Sequence, residues 1–580
     1  MFKACKNCQQ NFEITTDDLK FYDKISPVFN GKKYQIPAPT FCPSCRQQRR
    51  MAIRNERNLY HRKCDMTGKQ IISMYHSSCP FPVYSQDEWY SDKWDGLNSG
   101  QEYNFDKSFF EQFKEVRDKT PHQSLISYKN ENCSFCNVVG TSRNCYLIFG
   151  SINCEDCFYG SPYNCKNCID SLVLRNSELC YECIDSDKLY SCSNCQNCAN
   201  SFNLRFCYEV TNSNNCLACV GLNQKEFCIL NKQYSKNEYE KIINQTNFSD
   251  HLIIKEMDRQ LNELKLKIPH KYYVGLNNEN FSGNYIFNSK NTFFTFNAEK
   301  CEDVKFMSQM LEIKDSMDSD FGENGEMQYE CSGFYHSSFN SFCYLCWDGI
   351  NNLFYCSNCT QNTNNCFGCV GLKHKNYCIL NKQYTKEKYE ILVPKIIEQM
   401  QKPIPLAPFI KGGQKSPLDK GDLGDSFPEF GEFFPSSIST FGYNESIAQE
   451  YFHLTKDQAI AKKFKWKDED LSSQHQGPEY KIQENIQDVK DDISNAILRC
   501  EITGKLYKII PQELNFYRQM NLPVPKKCPD QRHQERLALR NPRKLWDRNC
   551  MKCGEKIKTT YAPSRPEITC CDNCYSKEVY

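Results

Sequence analysis

The middle of the chain alternates short apolar runs with turns rich in Asn, Ser and Gly, which is typical of strands rather than helices. Runs of this kind between residues 130 and 232 include CYLIFG, SLVLRN and NLRFCYEV. CxxC pairs start at positions 133, 154, 195 and 216, and their spacings fit a unit of about 20–21 residues. This period predicts a parallel β-solenoid with one coil per repeat.

The solenoid pattern occurs twice. NNCLACVGLNQKEFCILNKQYSKNEYE (214–240) returns as NNCFGCVGLKHKNYCILNKQYTKEKYE (364–390), so we predict two solenoid blocks, 130–234 and 282–384. A helix follows each block, because Ser235 and Glu238 form a capping box and Thr385 takes the place of Ser235 in the second block. The segments 235–281 and 385–401 are therefore predicted to be helical caps that protect the open solenoid ends.

Two further segments connect these blocks to the chain ends. Residues 106–129 are predicted to be a helical connector, with an amphipathic helix over 106–119 that ends before Pro121. Residues 402–495 are predicted to be a disordered linker, because 402–435 is rich in Pro, Gly and Lys. A short helix is expected inside this linker, starting at Thr455 with Gln458 as its capping partner.

A second duplication occupies the two ends of the chain. IPAPTFCPSCRQQRRMAIRNERNLYHRKC (36–64) returns 486 positions later, without a gap, as LPVPKKCPDQRHQERLALRNPRKLWDRNC (522–550). Each copy reads as two zinc ribbons in tandem, and we name the copies module 1 (1–105) and module 2 (496–580). The predicted fold is thus multidomain and β-rich, with duplicated tandem zinc-ribbon modules at both ends flanking two parallel β-solenoid-like blocks capped by helices.

The two modules keep opposite halves of their metal chemistry. In module 1 the first ribbon is predicted to bear zinc and the second to be degenerate, and in module 2 the order is reversed. Four thiolates suit Zn²⁺, and such a closed site is structural because it leaves no open position. About two zinc ions per chain are therefore expected, on Cys5, Cys8, Cys42 and Cys45 in module 1 and on Cys550, Cys553, Cys571 and Cys574 in module 2.

Residues that cannot complete a four-thiolate site stand at the other two ribbons. Cys570 lies beside Cys571, which leaves one ligand of module 2 open between them, and His533 is a conceivable substitute ligand in the degenerate ribbon. The degenerate positions are Cys64, Thr67, Ser85 and Glu88 in module 1, and Cys500, Thr503, Cys528 and Gln531 in module 2.

The other 25 of the 38 cysteines lie between Cys133 and Cys378. Free Cys packs as a small apolar residue, and the second block replaces several of these cysteines with aromatic residues, which favours packing in stacked ladders. Additional zinc or iron–sulfur sites are the alternative, although no compact cluster of three or four cysteines with a familiar iron–sulfur spacing occurs.

Both modules retain a stripe of arginines while their metal ligands differ. The spacings of 4, 4 and 3 residues place four arginines of each module on one helical face. Arg suits bidentate contact with phosphate, so we predict nucleic-acid contact, with RNA or a ribonucleoprotein favoured over a defined DNA site. Pairing with acidic groups of another domain or of a partner protein is the main alternative, and a solvated face is a third. The stripe consists of Arg46, Arg50, Arg54 and Arg57 in module 1 and of Arg532, Arg536, Arg540 and Arg543 in module 2.

Composition restricts the function classes. The net charge is +1, so any basic surface must be local, and no membrane interaction is expected. The N-terminus lacks the apolar core of a signal peptide, and no apolar stretch approaches spanning length, so a reduced, cytoplasmic protein is expected. The ten histidines are scattered, and no HExxH, nucleophile-elbow or phosphate-loop motif occurs, which argues against an enzyme and indicates no small-molecule substrate.

The combination of FCPSCRQQRRMAIRNERNLYHRKCDMTGK, SMYHSSCPFPVYSQDEWYSDKWD, NNCFGCVGLKHKNYC, FPSSISTFGYNESIAQEYF and RNPRKLWDRNCMKCG resembles an uncharacterised bacterial family of large cysteine-rich zinc-ribbon proteins. The resemblance covers nearly the whole chain apart from 402–425, and it implies cytoplasmic zinc binding. The predicted function is a non-enzymatic zinc-binding scaffold that contacts nucleic acid through its Arg-striped helices. A protein–protein assembly platform with purely structural zinc is the alternative.

Overall fold

A computed structural model describes residues 1–402, 428–468 and 477–579 of the chain. The chain forms two compact units, neither of which is continuous in sequence. Unit 1 comprises Met1–Leu125 and Gly275–Lys467, and unit 2 comprises Ile126–Val274 and Asp468–Tyr580. The β-rich fold with a solenoid in each unit and a four-cysteine cluster near each end of the chain is as predicted.

Solenoid 1, in unit 2, is a 12-stranded sheet, and solenoid 2, in unit 1, is an 11-stranded sheet. Neighbouring strands are parallel except for the antiparallel closing strand at the C-terminal end of each sheet. The strands of solenoid 1 are Ser127–Tyr128, Asn137–Gly140, Tyr146–Ile152, Phe158–Tyr163, Lys166–Ile169, Leu172–Arg175, Glu178–Tyr181, Ile184–Ser193, Ala199–Arg205, Asn214–Leu217, Glu226–Ile229 and Lys232–Gln233. The strands of solenoid 2 are Gly275–Leu276, Glu279–Phe287, Lys290–Glu299, Glu302–Lys305, Ser308–Met317, Asp320–Tyr329, Ser332–Ser341, Tyr344–Phe354, Asn364–Phe367, Asn376–Ile379 and Lys382–Gln383.

The predicted coil length of 20–21 residues is wrong, because one coil takes about 12 residues. Cys168 pairs with Cys180, and Cys180 pairs with Cys192 on the next coil. Every third residue points into the core, as at Cys192, Cys195 and Cys198, so a coil has four sides of three residues. CxxC is therefore two successive inward positions, and a spacing of 21 is a multiple of three rather than a coil.

The corners of the coils explain the abundance of Asn. The residue before each inward position has a positive φ, and Asn153, Asn164 and Asn176 are examples with φ between 52° and 47°. Asn and Asp tolerate this left-handed conformation better than other non-glycine residues. Their side chains also form a ladder along the solenoid, since Asn153 Nδ2 donates to Asn164 Oδ1 at 3.0 Å and Asn164 Nδ2 donates to Asn176 Oδ1 at 3.1 Å.

The solenoid cysteines form buried ladders, as the packing interpretation predicts. Their thiols donate to backbone carbonyls, and Cys145 Sγ lies 3.2 Å from the Arg143 carbonyl oxygen and 3.6 Å from that of Cys154. Among the described residues, no solenoid thiol belongs to a group of three or more candidate metal ligands. These cysteines therefore pack the two cores as small apolar residues.

The modules are built from short hairpins and helices. The strands of module 1 are Phe2–Ala4, Asn11–Glu13, Val28–Phe29, Lys32–Lys33, Tyr60–Lys63, Gln70–Ser73 and Val83–Tyr84, and its helices are Thr16–Ile25, Pro43–Met51 and Gln86–Tyr90. The strands of module 2 are Leu498–Arg499, Leu506–Tyr507, Trp546–Asn549, Lys556–Thr559 and Thr569–Cys570, and its helices are Pro511–Met520, Pro529–Ala538 and Asp572–Val579. The other helices are Phe109–Lys119, Lys236–Gln245, His251–Lys265, Lys386–Met400, Ala448–Tyr451 and Lys456–Ala461.

Each module packs on the solenoid that is farther from it in sequence. Module 1 shares unit 1 with solenoid 2, and module 2 shares unit 2 with solenoid 1. The strand that follows each Pro-His pair makes a similar exchange. His122–Gln123 pairs in parallel with Val83–Tyr84 in unit 1, and His270–Lys271 pairs in parallel with Thr569–Cys570 in unit 2. The two units are thus equivalent assemblies of repeated parts.

The predicted caps and connector are present with shifted bounds. The cap after solenoid 1 is two helices, and Ser235 with Glu238 forms the expected capping box of the first. The connector helix starts at Phe109 because Ser108 caps it. The helix that follows Thr455 is also capped as expected, by Gln458.

The prediction of disorder across 402–495 is wrong for residues 428–467. Phe430, Phe433 and Phe434 of this segment are buried in unit 1. The Glu429 carboxylate accepts from the Phe109 and Phe110 backbone N–H groups at 2.8 and 3.0 Å, and so caps the connector helix. Pro and Gly counts missed this segment because its aromatic residues supply the burial. The remainder of the Pro- and Gly-rich stretch, 403–427, lies outside the described residues.

Candidate metal centres and buried arginine clusters

The predicted site in module 1 brings four thiols together. Cys5, Cys8, Cys42 and Cys45 have their sulfur atoms within 4.8 Å of one another. Cys8 Sγ and Cys42 Sγ are 3.7 Å apart, and the Cys42 backbone N–H donates to Cys5 Sγ at 3.2 Å. Hydrogen bonding from Cys45 lowers the pKa of Cys42 to about 5, which favours the thiolate that metal ligation needs.

The predicted site in module 2 has the same geometry. The sulfur atoms of Cys550, Cys553, Cys571 and Cys574 also lie within 4.8 Å of one another, and Cys553 Sγ is 3.7 Å from Cys571 Sγ. Burial opposes ionisation of Cys550, but the backbone N–H groups of Cys571 and Cys553 outweigh it and lower the pKa of Cys550 to about 6. Cys570 is buried outside the cluster, so Cys571 is the ligand at the position that the sequence left open.

The degenerate ribbons keep the turn of a metal knuckle without its ligands. In module 1, the Gly68 N–H donates to the Cys64 carbonyl at 2.8 Å, and the Gly504 N–H makes the equivalent bond to Cys500 in module 2 at 3.0 Å. Both glycines have φ near +70°, which side chains rarely adopt. Thr503 Oγ1 lies 3.8 Å from Cys528 Sγ, so a hydroxyl–thiol contact stands where two ligands would meet. Among the described residues, His533 is not part of a metal-ligand cluster.

In unit 1 the arginine stripe faces solenoid 2. The Arg46 guanidinium lies 2.6 Å from the Asp318 carboxylate, and the Arg50 guanidinium lies 2.8 Å from both Asp320 and Glu330. All five side chains are at most 2% exposed. Burial of so many charges is stable only when they are paired, so this cluster locks the helix of module 1 to the solenoid.

Unit 2 contains the equivalent cluster. Arg532 and Arg536 lie 2.9 and 3.0 Å from the Asp170 carboxylate, and Arg536 also lies 2.9 Å from Glu182. Arg540 pairs with Asp185 at 2.7 Å. A tyrosine pair accompanies each cluster, with ring centroids 5.5 Å apart for Tyr22 and Tyr329 and 5.8 Å apart for Tyr181 and Tyr517.

The two clusters are duplicates of one interface. The partners of Arg46 and Arg50, Asp318 and Glu330, stand 148 positions after Asp170 and Glu182, the partners of Arg532 and Arg536. The same offset relates Tyr329 to Tyr181. The interface was therefore present before the two halves diverged, and both halves have retained it.

The stripe is not an exposed basic face, which corrects the prediction for its residues. The helices end at Met51 and Ala538, so only two arginines of each module are helical. Arg54 is 6% exposed and pairs with Glu56, and its guanidinium lies 4.0 Å from the ring centre of Phe321. Arg57 and Arg543 are half-buried and engaged in interactions. Intramolecular pairing, the main alternative in the sequence, accounts for these arginines.

The acids that complete the clusters were missed in the sequence. Asp170, Glu182, Asp318 and Glu330 all occupy left-handed corners of a coil, where Asn is common. The signal available was the spacing of 12 residues between Asp170 and Glu182 and between Asp318 and Glu330, which is one coil and is repeated in both blocks. A coil length of 20–21 residues conceals that register.

Equivalent buried histidines of the two units differ in charge. In unit 2, His270 Nδ1 lies 3.1 Å from Glu209 and Nε2 lies 2.8 Å from the Lys265 carbonyl, so both ring nitrogens face acceptors. Burial opposes the imidazolium, but Glu209 outweighs it and raises the pKa of His270. In unit 1, Asn358 takes the place of Glu209, and burial together with the Arg117 charge lowers the pKa of His122 to about 3.

The two histidines should therefore give the units opposite pH dependence. The His270 contribution to the free energy of unfolding is present below pH 6.5 and is lost as pH rises through its raised pKa. The His122 contribution is present above pH 6.5 and is lost as pH falls towards 3. In NMR titrations of protein labelled at the histidine ring carbons, we expect one resonance to titrate above 6.5 and to move below it in Glu209→Gln.

The matched control is Asn358→Asp, which places a carboxylate beside His122 and should raise its pKa. Each pKa unit corresponds to about 1.4 kcal/mol of unfolding free energy. A His270 resonance that titrates below 6 in the unsubstituted chain would contradict the imidazolium assignment.

The comparisons with known proteins add no family to this description. No family model matches the chain, and no curated protein matches it. A solved structure named "putative acetyltransferase", from Desulfovibrio desulfuricans G20, aligns with 41% of this chain and 65% of its own length at 8% identity. Its TM-score is 0.10, so the alignment carries no argument about fold or activity. No helix among the described residues has the length and apolarity to cross a membrane.

Proposed function

We propose that this protein is a non-enzymatic assembly platform that binds other proteins, with zinc in its two four-cysteine sites holding the modules in shape. The observation that carries this proposal is the burial of the arginine stripe in both units. Because Arg46, Arg50, Arg532 and Arg536 are at most 4% exposed and paired with carboxylates, the residues best suited to phosphate serve internal docking instead.

The solenoids support a platform role. Their outer columns are extended, regular and only partly covered, and Tyr190 and Phe202 on neighbouring coils are 52% and 40% exposed. Solenoid proteins use such surfaces to bind partners rather than to enclose small substrates. Four-thiolate ligation suits Zn²⁺ in a structural role, and the free thiols of the chain are consistent with work in the reducing cytoplasm.

Nucleic-acid binding, with RNA favoured, is the competing hypothesis, and a salt titration separates the two. We expect mixed RNA and DNA to bind the full chain no more tightly than about 10 µM at physiological salt, as for non-specific contact. The measurement is fluorescence anisotropy between about 50 and 200 mM salt. Sub-micromolar binding that weakens steeply with salt would favour the nucleic-acid function instead.

A positive test of the platform is purification from the native host with nuclease present. We expect the 68.0 kDa chain to elute in a discrete complex of larger mass, with partner proteins at fixed stoichiometry. Elution as a free monomer after nuclease treatment, with RNA in the untreated complex, would overturn the platform proposal.

A further inference from the structure

The two equivalent units differ in one large respect, which is the covering of the arginine helix. In unit 1, the segment 428–467 lies over the outer face of the helix Pro43–Met51 and the residues that follow it. Tyr443, Ile447 and Ala448 pack there on Met51 and Ala52. This face is the one opposite the solenoid.

The covering segment makes specific polar contacts as well. Gln48 Nε2 donates to the Tyr443 hydroxyl at 2.7 Å, and Ser439 Oγ donates to the Ala52 carbonyl at 2.9 Å. Arg117 donates to the Ile438 carbonyl, which ties the segment to the connector helix. The face is thereby closed, and Met51, Ala52 and Ile53 are 0%, 2% and 4% exposed.

In unit 2 the same face is bare. The residues 486 positions later are Leu537, Ala538 and Leu539, which are apolar like their counterparts. Leu537 is half-buried, Ala538 is exposed and Leu539 is 53% exposed. Gln534, the counterpart of the buried Gln48, is also exposed. Module 2 thus keeps the apolar residues of a covered face, although nothing among the described residues covers them as in unit 1.

The charges around the bare face differ from those in unit 1 in a way that specifies an occupant. In unit 1, Arg49 pairs with Glu432 of the covering segment at 3.1 Å. Its counterpart in unit 2 is Glu535, so an occupant of unit 2 needs a cation where the segment carries Glu432. The cation Lys265 stands at the position of Arg117, ready to donate to a backbone carbonyl of an occupant.

We propose that the face of unit 2 formed by Gln534, Leu537, Ala538 and Leu539 is a peptide-binding site for a segment of another protein. The segment is extended, carries a basic residue, and presents Tyr or Phe together with Ile or Leu further along, as Tyr443 and Ile447 do in unit 1. This site rests on the proposed platform function and gives it one definite partner surface. In unit 1 the chain occupies the equivalent site itself.

The test is selection of a displayed random peptide library, with peptides of about 16 residues, on the full chain, with counter-selection on the Ala538→Arg, Leu539→Asp variant. Both side chains are exposed, so the variant should fold. We expect enrichment of peptides that combine a basic residue with an aromatic and an aliphatic residue, and Kd values of about 1–100 µM by fluorescence anisotropy. Leu539→Asp should weaken binding at least about tenfold, and Tyr190→Ser, an equally exposed change on solenoid 1, should leave it unchanged.

Three results would overturn the site. The library could yield no peptide that distinguishes the chain from the variant, or the selected peptides could bind Leu539→Asp as tightly as the unsubstituted chain. Light scattering at rising concentration could instead show self-association that Leu539→Asp abolishes, which would make a second copy the occupant. A nuclease-resistant complex that Leu539→Asp leaves intact would refute this site while the platform function stood.

Discussion

Replacing Asp170 with Ala should lower the free energy of unfolding of unit 2 by about 3–5 kcal/mol, which is the cost of breaking a buried ion pair by removal of one partner. Asp170 is fully buried and faces both Arg532 and Arg536 at 2.9 and 3.0 Å. Its loss leaves Arg532 without its closest carboxylate and Arg536 with Glu182 alone. Urea denaturation followed by tyrosine and tryptophan fluorescence measures the change.

An exposed acid of the same solenoid provides the control. Glu155 pairs with Arg143 at 2.6 Å, but both side chains are at least 32% exposed. Surface pairs contribute about 0–1 kcal/mol, so Glu155→Ala should change the unfolding free energy by no more than that. Equal effects of the two substitutions would mean that the Asp170 cluster does not hold module 2 on its solenoid.

The second large effect concerns the metal centres. The purified chain should contain about two zinc ions, and Cys553→Ser should reduce this to about one. Structural zinc contributes about 10–16 kcal/mol of apparent binding free energy in small domains, so the ribbon around Cys550 should lose its fold with the metal. Inductively coupled plasma mass spectrometry measures the metal, and limited proteolysis near residue 550 reports the ribbon.

The degenerate ribbon of module 2 supplies a matched change. Cys500→Ser alters a knuckle that retains its turn but has Thr503 and Gln531 in place of two ligands. The metal content should therefore stay at about two per chain. A fall to one would place a metal ion at the degenerate ribbon, and a content of six or more would place metal on the solenoid ladders.

The metal clusters could be predicted because a tetrahedral four-sulfur site needs only four thiols on two short turns, and CxxC spacing encodes each turn locally. The solenoid could be predicted for a similar reason, since inward cysteines recur along the chain. Its coil length could not, because positions such as Cys133 and Cys154 share an inward orientation at any multiple of three residues.

The docking of the modules was beyond the sequence for a different reason. Arg46 meets Asp318 across 272 positions of chain, and no local pattern relates the two. A basic helix has the same sequence whether it faces phosphate or buried carboxylates. The covering segment 428–467 was missed because its Pro and Gly content resembles a linker, whereas burial of Phe433 and Tyr443 fixes it in place.

The exchange of modules between distant solenoids imposes a timetable on synthesis. Ribosomes add about 5–20 residues per second, so module 1 waits on the order of 15–50 s before the carboxylate of Asp318 has been made. During that interval its arginines have no internal partner and face the ribosome surface and the chaperones. Unit 2 has the shorter wait after module 2 is made, because solenoid 1 has long been complete. Translation order therefore makes module 1 the part of the nascent protein most exposed to misassembly.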